Sequence, residues 1–320
     1  MKTTIPIFFG ADDARSPFVA TAISSIKENA SKDLTYHIHI LTDGISERNR
    51  RKISRLAGEG FRIEFYPLTE RLSALEGVRE LGPEVVTSLP AYFRFFIPEL
   101  FPQWDKAICL DTDLVVPGDI SRLYCECMGS KLLGAVVDGS IQRVGPFVRY
   151  IEEYVGVAPH NYVNVGVLLL NCKRPREVDL SGRFLEWMDR YGLDAVAPEQ
   201  DYLNALCRYG IHYLDPDWNA MPSECTQDMD EPQIIHFSLS SRPWLSETVP
   251  YDEVFWKYVA LSGYGHEIRA LRRTFLQDPE ARGEYREGIT RLIRKAGRLT
   301  GSEVSFRSLT ESHQALRLCS

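Results

Sequence analysis

Short apolar runs alternate with stretches of helical periodicity through most of the chain. Residues 16–26, for example, place Phe18, Ala22 and Ile26 on one helical face, and Ser16 with Pro17 is predicted to cap and open that helix. Strands that alternate with helices favour a mostly parallel sheet covered on both faces. The sequence therefore predicts an α/β fold. The predicted strands are residues 5–9, 36–41, 61–65, 107–110, 132–137, 165–170, 211–214 and 233–237.

The composition predicts an ordinary soluble protein. A chain of 320 residues can form one large domain with an appendage, and a net charge of -7 argues against nucleic acid as a partner. Seven scattered cysteines do not make a disulfide framework. The apolar runs are far shorter than the roughly 20 residues of a membrane span. We therefore expect a cytoplasmic protein that is not an integral membrane protein.

The C-terminal part differs in charge from the rest. From residue 267 onward 11 Lys and Arg stand against 7 Asp and Glu, so this part is +4 and the preceding part is -11. Residues 289–299 have an apolar face and a basic face at helical spacing. We predict a domain over residues 1–265 and a basic helical extension over 266–320. The helix either packs on the body with its basic side chains in solvent or makes a peripheral contact with anionic lipid on the inner face of the membrane.

Asp111 and Asp113 follow the apolar run 107–110 directly and are separated by one residue. Alternating strand geometry sends both carboxylates to one side, where they repel each other unless a cation lies between them. A divalent ion with oxygen ligands removes that cost and can also bind a diphosphate. The alternative is a turn at the strand end with two solvated carboxylates. Asp12, Asp43 and Asp138 also follow predicted strands, which favours an acidic cleft beyond the carboxyl ends of the sheet.

Five motifs in one order together resemble the family 8 retaining glycosyltransferases, and in particular bacterial enzymes that add glucose or galactose to lipopolysaccharide. The motifs are FGADD at 9–13, YFR at 92–94 ahead of ICLDTDLVV at 108–116, YVNVGVLLLN at 162–171, PEQDYLN at 198–204 and IHFSLSSRPW at 235–244.

The resemblance implies a single Rossmann-like nucleotide-sugar-binding domain of the GT-A type. It further implies that Asp111, Asp113 and His236 hold Mn²⁺, with Mg²⁺ as an alternative ion. Asp12 is then matched to the carboxylate that binds uridine. The alternative for His236 is a histidine that closes a core strand by a hydrogen bond.

The resemblance also assigns the remaining site residues. Arg94 would contact the donor, and Arg242 would add positive charge at the diphosphate of a UDP-hexose. Asn164, Gln200 and Asp201 would surround the anomeric carbon, with Asp201 the better candidate for charge stabilisation. Arg94 could instead form a surface salt bridge, and residues 199–201 could instead be the acidic first turn of a helix. The implied acceptor is a glycan or lipid-linked glycan.

Two other functions are compatible with some of these residues. An apolar strand followed by Asp111-Thr-Asp113 also occurs in haloacid dehalogenase-type phosphatases, but there the motif lies near the start of the chain. A catalytically silent nucleotide-sugar-binding protein is the other alternative. Ala14 and Leu239 suggest it, because close relatives often carry Asn and Gly at those positions.

Overall fold

The computed structural model describes residues 2–73, 78, 89–142, 144–222, 230–238 and 241–312. The chain forms two compact units, and each unit is assembled from three separate segments. The first unit comprises Met1–Pro67, Ala107–Glu126 and Asp215–Glu287. The second comprises Leu68–Lys106, Cys127–Leu214 and Gly288–Ser320.

Strands and helices alternate as the hydrophobic pattern predicts. The strands are β1 (Thr4–Gly10), β2 (Thr35–Thr42), β3 (Phe61–Pro67), β4 (Ala107–Leu110), β5 (Leu114–Val115), β6 (Leu133–Ala135), β7 (Val167–Leu170), β8 (Ile211–Tyr213) and β9 (Ile235–His236). The helices are α1 (Ser16–Asn29), α2 (Glu47–Ser54), α3 (Leu68–Ser73), α4 (Ile97–Leu100), α5 (Ile120–Cys125), α6 (Gly145–Tyr150), α7 (Lys173–Glu177), α8 (Leu180–Tyr191), α9 (Pro198–Cys207), α10 (Asp252–Leu261), α11 (Gly265–Gln277), α12 (Pro279–Leu299) and α13 (Phe306–Ser312).

The first unit contains four parallel strands in the order β3-β2-β1-β4. The middle of β1 is completely buried, which explains why Ile7 to Phe9 is an uninterrupted apolar run. β5 and β9 form a separate antiparallel pair in the same unit. The prediction of a mostly parallel α/β sheet is confirmed here.

The starts of α1 and α2 differ. Ser46 caps α2 as its side chain accepts a hydrogen bond from the backbone N–H of Asn49 at 3.4 Å. The prediction that Ser16 caps α1 is wrong, because the cap position is Arg15 and Ser16 lies inside the helix. The Ser16 hydroxyl instead donates to the carbonyl of Asp12 at 3.4 Å. Pro17 is in the first turn, as predicted, where a missing N–H costs nothing.

The second unit contains the strand order β7-β6-β8, with β6 antiparallel to β7 and parallel to β8. Aromatic rings fill its core around Phe184, which stacks on Phe95 with ring centroids 4.1 Å apart. Tyr202 meets Phe184 edge to face at 5.2 Å and Phe306 of α13 at 4.7 Å. This packing ties the last described helix to the unit.

The C-terminal region is helical, as predicted, over α11, α12 and α13. Two of the basic residues of α12 form ion pairs with one carboxylate: Lys295 lies 2.5 Å and Arg298 3.3 Å from Asp194. These pairs favour the alternative in which the helix packs on the protein. The boundary near residue 265, the contact with lipid and the cytoplasmic location stay predictions. In the described part of the chain, every helix is too short or too polar to cross a bilayer.

Candidate active site

The pairing of β5 with β9 brings His236 to the two aspartates although more than a hundred residues separate them in sequence. Asp111 and Asp113 lie in the short connection between β4 and β5, and Leu114 of β5 pairs with His236 of β9. The N–H of Phe237 donates to the carbonyl of Asp113 at 2.8 Å, which fixes the register next to the carboxylates. Backbone hydrogen bonds of a two-residue ladder therefore assemble this cluster.

The three predicted metal ligands lie within reach of a single ion. His236 Nε2 is 3.3 Å from Asp113 Oδ1 and 3.6 Å from Asp111 Oδ2. One ligand atom from each residue lies within 4.8 Å of the other two. The side chains of His236 and Asp113 are 3% and 12% exposed, whereas Asp111 is 29% exposed. The cluster is thus buried on one side and open on the other, as a site that shares its ion with a ligand requires.

Asn219 fixes the orientation of the His236 ring. The Asn219 amide oxygen lies 3.1 Å from Nδ1, and an amide oxygen can only accept a hydrogen bond. In the neutral imidazole the proton therefore resides on Nδ1, and the lone pair of Nε2 points toward the carboxylates. A lone pair and two carboxylates converging on one point repel one another unless a cation lies among them. The donor set of one imidazole and two carboxylates fits a divalent ion such as Mn²⁺.

Positive charge surrounds Asp113. Arg242 Nη2 lies 3.2 Å from Asp113 Oδ2. Burial opposes ionisation of Asp113, but positive charge on His236 in its protonated form and on Arg242 and Arg15 outweighs it and holds the pKa of this carboxyl well below its usual range. Trp244 anchors the segment that carries Arg242, since its ring packs against Phe18 with centroids 4.3 Å apart. Asp113 is therefore ionised at any physiological pH.

Helix α1 holds the end of β5 by side-chain hydrogen bonds to Val116. The Ser25 hydroxyl accepts the N–H of Val116 at 2.8 Å, and the Asn29 amide donates to the Val116 carbonyl at 2.9 Å. Beyond β5, the Gly118 N–H donates to the Gln233 carbonyl at 3.1 Å. A Cβ on Gly118 would lie 3.0 Å from Gln233 Cα and closer still to its side chain, so only glycine allows this approach. The pairing of β5 with β9 thus depends on the contacts of α1 with Val116 and on the contact of Gly118 with Gln233.

Asp12 and its neighbours occupy the loop after β1. Asp12 is exposed, and its Oδ1 accepts the backbone N–H of Arg15 at 2.9 Å. Asp13 is engaged elsewhere, because its carboxylate accepts from the Ser46 N–H at 2.7 Å and the Asn49 amide at 2.8 Å. Arg15, which the sequence pattern did not single out, lies 3.5 Å from the Thr112 hydroxyl between the two aspartates. The match of Asp12 to a uridine-binding carboxylate stays a prediction.

In the second unit, Asp138 holds two of the predicted catalytic residues. Its Oδ2 accepts from the Gln200 amide at 2.8 Å and from the Asn164 amide at 3.1 Å. The opposite ends of these amides are fixed as well, since Gln200 accepts from the Val165 N–H and Asn164 accepts from the Gly166 N–H. The sequence places Asp138 directly after a predicted strand but does not identify it as a site residue. Only the tertiary structure shows that it orients both amides.

Asp201 is shielded from solvent and bonded to the hydroxyls of two tyrosines. It accepts hydrogen bonds from Tyr162 at 2.5 Å, from Tyr150 at 2.7 Å and from the backbone N–H of Ala197 at 3.0 Å. Its side chain is completely buried. This burial raises the pKa of Asp201 to about 6, although the three hydrogen bonds oppose the shift. The residue at 201 also lies in the first turn of α9, so the dipole role and a catalytic role remain compatible.

Arg94 and Glu199 form a partly buried ion pair in the second unit. Arg94 Nη1 lies 2.7 Å from Glu199 Oε2, and the two side chains are 3% and 27% exposed. Arg94 therefore does form a salt bridge, but only the Glu199 side of the pair reaches the surface. A contact between Arg94 and a donor sugar stays a prediction. Leu239, one of the two departures from the family pattern, lies outside the described residues.

The sequence of this chain matches that of a known protein family. A family model described as glycosyl transferase family 8 matches residues 6–248. The chain belongs to glycosyltransferase family 8. Every motif assigned from the sequence lies inside the matched region, which supports the resemblance on which those assignments depend.

Individual relatives have low sequence identity to this chain but align with most of its length. A putative glycosyltransferase of Haemophilus influenzae is 25% identical over 222 residues, which cover 69% of this chain and 64% of that protein. The chain therefore spans less than two thirds of the length of this family 8 relative. The lipopolysaccharide 1,2-glucosyltransferase of Escherichia coli K12 is 24% identical, with 80% of this chain and 77% of that protein aligned.

Solved structures confirm the GT-A type fold of this family 8 chain. The galactosyltransferase LgtC, solved in complex with donor and acceptor sugar analogues, superposes with a TM-score of 0.64 and 26% identity. The match covers 80% of this chain and 95% of LgtC. A further LgtC structure, with a TM-score of 0.65 and 25% identity, carries an active-site mutation of glutamine to glutamate.

Proposed function

We propose that this family 8 protein is a retaining, Mn²⁺-dependent transferase that moves a hexose from a UDP-sugar to a glycan acceptor. The convergence of Asp111, Asp113 and His236 is the observation that carries this proposal. Membership of the family supplies the reaction class. The donor set supplies the cation, because imidazole with two carboxylates suits Mn²⁺ better than Mg²⁺, which prefers oxygen ligands throughout.

The residues of the first unit have distinct tasks in this proposal. Asp111, Asp113 and His236 hold the ion, and Asn219 keeps the His236 lone pair pointed at it. When bound, the ion neutralises the charge that develops on the departing diphosphate. Arg242, now paired with Asp113, supplies a second fixed positive charge near the same carboxylates. Asp12 is assigned to the uridine.

The catalytic residues proposed for the second unit are Asn164, Gln200 and Asp201. The Gln200 amide oxygen is neutral and therefore a weak nucleophile, but it can stabilise positive charge on a sugar ring. Asp138 locks the amide in one orientation. Asp201 adds a buried carboxylate that ionises near pH 6. The glutamine mutation made in the LgtC active site supports a glutamine in this set. Arg94 is assigned to donor binding.

The acceptor is proposed to be lipopolysaccharide core or a related glycoconjugate. The support is the lipopolysaccharide glucosyltransferase of E. coli and the presence of both sugar analogues in LgtC. The family 8 match includes Asp111 and Asp113, and family 8 is not a phosphatase family. The phosphatase alternative is therefore without support. A silent binding protein remains the second candidate, because Ala14 departs from the usual pattern.

The test is donor turnover by the full chain. The purified protein is incubated with Mn²⁺ and a panel of UDP-glucose, UDP-galactose, UDP-glucuronate and UDP-N-acetyl sugars, and UDP release is followed. With a productive acceptor, proton NMR of the product gives its anomeric configuration. We expect release from one UDP-hexose and an α product from an α donor. UDP binding by calorimetry without release across donors and acceptors would favour the silent protein, and inverted product would exclude retention.

A further inference from the structure

A second group of metal-ligating side chains lies away from the two-aspartate motif, on the sheet of the first unit. His37 and His39 stand two positions apart on β2, so their side chains emerge on the same face. The register of the edge strand β3 pairs His37 with Arg62 and His39 with Glu64. Paired residues of parallel strands share a face, so Glu64 joins the two imidazoles. Neither the family motifs nor the proposed transferase reaction uses these residues.

The three side chains are close enough to share an ion. His37 Nε2 lies 2.9 Å from Glu64 Oε2, and the centroids of the two imidazole rings are 3.8 Å apart. One ligand atom from each of His37, His39 and Glu64 lies within 4.8 Å of the other two. Ligands of a tetrahedral zinc ion are separated by roughly 3.4 Å when the bonds are about 2.1 Å long. Small side-chain rotations therefore suffice to bring the three atoms onto one ion.

The surroundings hold the ligands in place. The His39 ring is completely buried and stacks on Phe8 with centroids 4.4 Å apart and planes 11° apart. The Tyr66 hydroxyl donates to Glu64 Oε2, and Arg62 binds Oε1. These contacts orient the carboxylate as outer partners orient metal ligands in known sites. Arg62 reduces the negative charge of the group, so the site is weaker than one with an unpaired carboxylate.

We propose that His37, His39 and Glu64 form a zinc site that fastens the edge strand β3 to β2. Two imidazoles and one carboxylate are a ligand set that suits Zn²⁺, with water in the fourth position. Binding replaces the hydrogen bond between His37 and Glu64 by two bonds to the ion, and the proton on His37 Nε2 moves to Nδ1 or to solvent. The edge strand is the natural place for such a fastening, because among the strands of the described residues β3 has a neighbour on one side only.

Zinc titration of the untagged, chelator-treated full chain tests the proposal. The background carries Asp111→Asn and Asp113→Asn to disable the first site, with Cys125→Ser and Cys127→Ser to remove two exposed thiols. We expect one equivalent of Zn²⁺ to bind, X-ray absorption to show nitrogen and oxygen ligands with two imidazoles, and Tm to rise by a few degrees. Adding His37→Asn or Glu64→Gln should weaken binding by about tenfold or more and abolish the Tm rise.

Matched controls separate this site from other sources of zinc binding and from the transferase proposal. His266→Asn removes an exposed histidine of the same unit and should leave the titration unchanged. His37→Asn in the otherwise native chain should leave Mn²⁺-dependent UDP binding unchanged, whatever the outcome for the transferase reaction. Absence of stoichiometric zinc binding in the background chain, or binding that survives both His37→Asn and Glu64→Gln in folded protein, overturns the proposal.

Discussion

Leu114 and His236 face each other across the antiparallel strands β5 and β9. Because Asp113 immediately precedes Leu114, this single pairing determines where the imidazole stands relative to both carboxylates. The ladder is only two residues long, so its position depends on contacts at its ends as well as on its own hydrogen bonds. The site therefore has supporting residues whose loss should be measurable even though they never touch an ion or a substrate.

Asp113→Asn tests the ion site directly. The substitution removes a charged ligand but keeps the size of the side chain, so we expect circular dichroism to be unchanged. Mn²⁺-dependent affinity for UDP should fall by about 100-fold or more, since even outer partners of metal ligands contribute 10–100-fold. Calorimetric titration of UDP with and without Mn²⁺ measures it. Asp33→Asn, which removes an exposed carboxylate of the same unit, is the matched control. Equal affinities in the two variants would exclude Asp113 as a ligand.

Gly118→Ala tests whether the close approach to Gln233 holds β9 in register. The added methyl group would lie 3.0 Å from the Gln233 Cα, so β9 must move. We expect a loss of about 1–3 kcal/mol in unfolding free energy and weaker Mn²⁺ binding. Urea unfolding and manganese EPR measure the two effects. Gly44→Ala is the control, because no atom lies within 4 Å of the methyl group it would add. Indistinguishable variants would show that β9 does not depend on Gly118.

Asn219→Ala tests the orientation of His236. Without the amide oxygen, the imidazole can adopt the other tautomer and present a proton to the carboxylates. We expect Mn²⁺ affinity to fall by about 10–100-fold. Asn219→Asp keeps an acceptor near Nδ1 and should recover most of that loss, which a merely structural role would not predict. EPR titration of free Mn²⁺ distinguishes the variants, and equal losses in both would contradict the orienting role.

The sequence predicted the parts of this site that depend on local patterns and missed those that depend on pairing. Asp111 and Asp113 follow an apolar strand, and that pattern is visible. Asn219 and Asp138 act through hydrogen bonds to residues far away in sequence, which no local spacing reveals. Without the family motifs, nothing would have joined His236 to the aspartates, since strands as short as β5 and β9 have no periodicity of their own.

Strand lengths are a second feature that the local sequence pattern predicts only in part. The apolar runs at 132–137 and 165–170 predict longer strands than β6 and β7. Val136 and Val165 are buried but lie outside these strands, at 4% and 3% exposure. Hydrophobicity reports burial, whereas a strand also needs a partner for its backbone groups. The chain therefore predicts where the core lies more accurately than where each hydrogen-bonded ladder ends.

Asp138→Asn tests the anchor of Gln200 and Asn164. The negative charge is lost and only one oxygen remains, so either the amides of Gln200 and Asn164 or the donors of Ser140 lose their acceptor. We expect kcat to fall by about 10–100-fold, because misplacement of reacting groups by an ångström has effects of this size. Mn²⁺ affinity should be unchanged, since the three predicted ligands belong to the first unit. Asp189→Asn, an exposed position of the second unit, is the control. Unaltered kcat would remove Asp138 from the catalytic set.

The raised pKa of Asp201 predicts a specific pH dependence of stability. The carboxyl titrates near pH 6 in the folded chain and near 3.8 when unfolded, so between these values the folded protein binds the extra proton. Stability from this group is therefore greatest below pH 3.8 and declines as the pH rises to 6. The shift of about two units corresponds to roughly 3 kcal/mol. Asp201→Asn cannot titrate, so its unfolding free energy relative to wild type should increase by up to that amount between pH 4 and pH 6.5.

Urea unfolding of wild type, Asp201→Asn and the exposed control Asp189→Asn at closely spaced pH values measures this dependence. A constant offset from Asp201→Asn reports effects of the substitution that do not depend on the ionisation of Asp201. The slope of the difference reports the buried charge. A flat difference across pH 4 to 6.5 would mean that Asp201 ionises like an exposed carboxyl. A positive slope confined to Asp201→Asn would establish a buried carboxylate that is charged only at the upper end of this range.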